Sequence, residues 1–87
     1  MKNTDIKSTL TTNQDIANLA IVLWDNSDYL IRSLTSANVL AKYRAKLVRM
    51  TMRMQREAMQ LGECLEPPNK DAFVSLPAAK AFAAQLA

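Results

Sequence analysis

An all-α fold is predicted for this chain: a small helical domain with a long central basic helix, flanked by an N-terminal hydrophobic helix and a short C-terminal helix, and paired as a dimer. Three observations predict it. Apolar residues recur at three- and four-residue spacing rather than alternating. The only glycine, Gly62, and the three prolines, all beyond it, leave the first two thirds of the chain without a strong helix breaker. The stretch 39–62 carries apolar residues on two faces of one helix, more than two short neighbours can cover in an 87-residue chain. A second copy is the simplest cover.

Taken in order, residues 1–10 are polar and weakly patterned and read as a flexible arm, leaving 11–87 as a single domain. Thr11-Thr12-Asn13-Gln14 has capping-box spacing, which opens a helix over about 12–25. Ile16, Leu19, Ala20, Leu23 and Trp24 supply its buried face, and Ile21 and Val22 widen that face until the helix is apolar nearly all round. Asp25-Asn26-Ser27-Asp28 places four small polar side chains in succession, each able to compete for backbone bonds, and reads as a turn and a new cap. The next helix runs over about 27–62, either unbroken or divided near Thr35-Ser36, where helix propensity is low. Gly62 is placed as its C-terminal cap. Pro67-Pro68 enforces an extended segment, 69–74 is a short connector, and Ser75-Leu76-Pro77 opens a docking helix over 76–87.

Within 39–62, Leu40, Tyr43, Leu47, Met50, Met54, Ala58 and Leu61 share one narrow face at packing-seam spacing. All but Ala58 are the expected partner or dimer interface. Ala41, Ala45, Val48, Met52 and Met59 form a second apolar face. Lys42, Lys46, Arg49, Arg53 and Arg56 stack on a third, roughly 120° round the helix from the seam. Between positions 36 and 62 there are six bases and one acid, a local charge of +5, while the rest of the chain carries −2. Such polarity points to a local basic contact surface. The five cations extend over about 21 Å at 1.5 Å per residue, long enough to follow several phosphates.

The expected function is therefore a non-enzymatic binding protein that sets this stripe against a polyanion, nucleic acid or a nucleoprotein complex first. The rival is a small protein-interaction module, an inhibitor or adaptor, that docks its basic and methionine-rich helix on an acidic partner protein. The bland alternative is a solvated helix face. Tyr43 and Trp24 are expected in the core rather than as base-stacking platforms. Catalysis is not expected: histidine is absent, no phosphate loop is present, and Cys64 lies beside Glu63 and Glu66, which disfavour its thiolate. A lone cysteine forms no intramolecular disulfide and no cysteine metal cluster, and no cofactor or small-molecule substrate is expected. The N-terminal apolar run is interrupted by Asn18 and is too short for a membrane span, so cytoplasmic residence is the expectation.

Overall fold

The computed structural model describes residues 12–36 and 41–87. The expected arm over 1–10 and the expected interface residue Leu40 lie outside the described residues. Within them the chain is all-α, with helices α1 (Asn13–Ser36), α2 (Ala41–Gln60) and α3 (Leu76–Leu86), and a 3-10 turn (Leu61–Cys64) that tightens the end of α2.

Thr12 caps α1: its hydroxyl accepts from the Asp15 N–H (3.0 Å) and its carbonyl from the Ile16 N–H (3.2 Å). The cap thus falls one residue later than the Thr11–Gln14 spacing implies. Gln14 bonds forward to Asn18 (3.1 Å) instead of back to the cap. Asp15, in the first turn, also complements the positive end of the helix dipole.

The polar run Asp25-Asn26-Ser27-Asp28 is not a turn; α1 passes straight through it. Each side chain is occupied without breaking the backbone ladder. Asp25 and Asn26 stand in water, Asp28 pairs with Arg32 one turn on (3.0 Å), and Ser27 donates back to the Trp24 carbonyl (2.9 Å). Ser27 is 1% exposed, because it faces α2. The expected helix over 27–62 is correspondingly divided: α1 closes at Ser36 and α2 opens at Ala41.

Three bonds, two from α2 and one from the segment after it, fix the direction of the returning chain. Asn13 meets Glu66, Ser27 meets Gln55, and the Leu34 carbonyl accepts from Arg44. Residue numbers fall on one side as they rise on the other, so the two helices run antiparallel. Among the buried or half-buried positions, 16, 20, 23, 27, 30 and 34 of α1 alternate by four and three, as do 47, 51, 54 and 58 of α2 with Leu61 just beyond it. Small residues (Ala20, Ser27, Thr51, Ala58) are interleaved with leucines and allow close approach of the backbones. Thr51, 4% exposed, satisfies its hydroxyl on the Leu47 carbonyl (2.9 Å).

The seam of α2 is thus rotated from the predicted one. Thr51 takes the place expected for Met50, while Tyr43 (52% exposed) and Met50 (38%) stay at the edge. Tyr43 is not a core residue. The basic helix is central in chain order, but in space α1 takes the middle place. Among the described elements α1 touches both α2 and α3, whereas α2 and α3 do not touch each other.

The core lies at one end of the hairpin. Ile16, Ala17 and Ala20 of α1 meet Leu65, Ala72, Phe73 and Ala79, with Ile21, Trp24, Leu61, Phe82 and Ala83 around them. Phe73 is fully buried, packs edge-on against Phe82 (5.5 Å between ring centroids) and offers its carbonyl to the Trp24 indole N–H (2.9 Å). The segment expected as a connector therefore supplies the largest core side chain. An Asx turn leads into it, with the Asn69 side chain accepting from the Asp71 N–H (3.0 Å). Gly62 does not act as a left-handed cap, since no glycine has positive φ. Its carbonyl accepts from the Asn69 N–H (2.9 Å) and the Leu65 N–H (3.3 Å). Ser75 caps α3 as its sequence predicts, accepting from the Ala78 N–H (3.2 Å), with Pro77 in the first turn.

Candidate polyanion-binding face

α2 is helical because its 20 residues contain no glycine or proline and are rich in alanine, methionine, lysine and arginine. The α1-facing stripe at 47, 51, 54 and 58 orients it. At about 100° per residue, Lys42, Lys46, Arg49, Arg53 and Arg56 then fall roughly 140–180° from Thr51. The structure brings all five together on the face turned away from α1, and all five are exposed. None of them pairs with an acid among the described residues, where the ion pair is Arg32–Asp28. Glu57, the one acid of α2, stands beside the row without bridging to it.

Lys42 places its ammonium 5.2 Å from the centroid of the Tyr43 ring, so one aromatic does flank the row at its first turn. Trp24 does not, because its ring is held against Phe73. Arg44 is the basic residue of α2 that serves another purpose. It lies on the α1 side and donates to the Leu34 carbonyl (3.3 Å), one of the acceptors that the last turn of α1 leaves open. Its omission from the cationic row follows from its register, two positions after Lys42 rather than three or four.

Of the expected interface residues, Leu47, Met54 and Leu61 are half-buried against the fold, and Tyr43 and Met50 remain on one edge of α2. That edge joins α1 in a shallow, open, largely apolar depression of about 450 Å³, lined by Leu19, Leu23, Glu57, Gln60, Leu61 and Cys64. The contribution of α1 was not apparent in the sequence, because Leu19 and Leu23 fit equally well on a helix buried all round. On the other edge of α2, Val48 (40%), Met52 (54%) and Met59 (37%) are exposed.

Among the described residues no group of three or more His, Cys, Asp or Glu side chains could hold a metal ion, and no helix is long and apolar enough to cross a membrane. No family model matches the chain, and no curated protein or solved structure matches it either.

Proposed function

We propose that this chain is a non-enzymatic binding protein whose α2 grips a polyanion, nucleic acid in first place, through Lys42, Lys46, Arg49, Arg53 and Arg56, and that it works as a dimer. The observation that carries the reading is the placement of the row. Five cations stand on one exposed face over about 21 Å, with no acid paired to them among the described residues. Like charges three or four positions apart cost a few tenths of a kcal/mol per pair, a cost that a bound polyanion removes. Contacts of this kind go to phosphates, so they supply affinity and orientation without reading sequence.

The test is a salt titration of binding to mixed-sequence duplex DNA and to single-stranded RNA. On duplex, the expected slope of log K against log [salt] corresponds to about three to five neutralised phosphates at about −0.9 each. The double reversal Arg49→Glu/Arg53→Glu flattens that slope by at least about two phosphates. No binding to either ligand at about 50 mM salt overturns the reading.

A second reading is favoured by Met50, Met52 and Met59, each more than a third exposed beside the row. Flexible thioethers next to cations suit an acidic protein partner with apolar pockets. An inhibitor or adaptor of that kind binds no generic nucleic acid, so the same titration separates the two.

A further inference from the structure

The edge of α2 that carries Tyr43, Met50, Met54 and Glu57, continued by Leu61 of the 3-10 turn, faces away from α3. Two observations on the hairpin fix this geometry. α3 packs on α1 and not on α2, on the flank of α1 that carries Ala17, Ile21 and Trp24, opposite Leu19 and Leu23. The depression formed by Leu19, Leu23, Glu57, Leu61 and Cys64 lies between the two long helices on one side of their common layer. In an antiparallel pair, residues rotated in the same sense from the contact line share a side of the layer. Leu19, Leu23 and Leu30 of α1 thus join Tyr43, Met50 and Met54 of α2 and Leu61 of the 3-10 turn in one apolar face, and no described element covers it.

We propose that a second copy of this chain covers that face, with the two α2 helices antiparallel and crossing at the level of position 52. The inference deepens the dimer reading above and rests on it. Its argument is self-complementarity. Reversal about position 52 sets Tyr43 opposite the other copy's Leu61, and Met50 opposite its Met54. It also brings Glu57 within about one residue of the other copy's Lys46, so the single acid of α2 meets a cation in both halves of the pair. The pattern is therefore its own complement in apolar size, with a Glu57–Lys46 pair setting opposite charges across each half, as a two-fold interface allows. The alternative two-fold axis, along the helices, lays α2 over α1 and leaves Glu57 without a cation from the basic row.

The extent of the face fits a second copy. Positions 43–61 span about 27 Å at 1.5 Å per residue, and two helices side by side are about 20 Å wide. That is roughly 540 Å² in projection per copy, and the two copies together reach the ~1,000 Å² that a specific interface needs. The same arrangement keeps both α2 helices on one edge of the dimer, so the two cationic rows lie side by side and form one broad basic surface.

Light scattering of the full chain over about 5–200 μM, in about 0.15 M salt and without nucleic acid, tests the proposal. The expected mass is twice that of the 9.7 kDa chain. Glu57→Lys sets two like charges against each other and weakens dimerisation at least about tenfold. The swap Lys46→Glu/Glu57→Lys restores it to within about threefold. Met50→Lys, at an exposed position, dissociates the pair, and circular dichroism verifies that each variant stays helical. A monomer throughout the concentration range overturns both the dimer and this register. A dimer indifferent to Glu57→Lys and Met50→Lys, or one that the swap does not restore, keeps the dimer and overturns the register.

Discussion

At Gly62 an added Cβ would overlap the Asn69 carbonyl oxygen and crowd the Lys70 Cα, both backbone atoms of a segment that Gly62 itself anchors through its own carbonyl. A flexible side chain could yield there, but backbone cannot without moving the turn that leads into Phe73. Gly62→Ala is therefore expected to destabilise the fold by about 1–3 kcal/mol, the usual range for overpacking. The expected readout is a lower urea midpoint at unchanged slope. The sequence marks position 62 as a helix end; α2 closes two residues earlier, at Gln60, and Gly62 lies in the 3-10 turn that follows. The physical reason for glycine is different from the one the sequence offered: the need is for space, and space is a tertiary fact. Phe73 shows the same limit. It sits among turn-forming residues, and only the docking of α1 and α3 makes it the centre of the core.

At the scale of the element, the helical period and the caps were legible, while the interruptions were not. Ser75 and Pro77 name the start of α3 because their chemistry is local. The cationic row needs only the period, and it appears where expected. The run 25–28 misleads because the local preference of each residue for a turn is small, while burial of Ser27 against α2 acts on the whole hairpin. Asn26→Ala discriminates the two descriptions. At an exposed helix interior alanine is favoured, so thermal or urea unfolding should show a gain of a few tenths of a kcal/mol. A capping asparagine would instead lose about 1 kcal/mol. The rotation of the α2 seam has a related cause. Thr51 and Met50 both fit a periodic pattern, and the close approach of the two backbones selects the smaller side chain.

At the scale of the whole molecule, support is unevenly distributed. The start of α1 is joined to Glu66 by two bonds from one side chain, since Asn13 both donates (3.0 Å) and accepts (3.1 Å), and the core lies at that end. Toward the other end, every residue from 41 to 46 is exposed and Leu47 is only half-buried. Hydrogen exchange is expected to follow this gradient, with amides of the first half of α1 protected longest and those of 42–50 exchanging by the easiest local opening. Three of the five cations, Lys42, Lys46 and Arg49, stand on this weakly held half. A polyanion seated on them would remove their mutual repulsion where the tertiary scaffold contributes least. Adding mixed-sequence duplex DNA should then slow exchange at 42–50 much more than at 16–24. The molecule would behave as a clamp with a set jaw and a yielding one, in which grip and stiffness rise together and the ligand completes the rigidity of the helix that holds it.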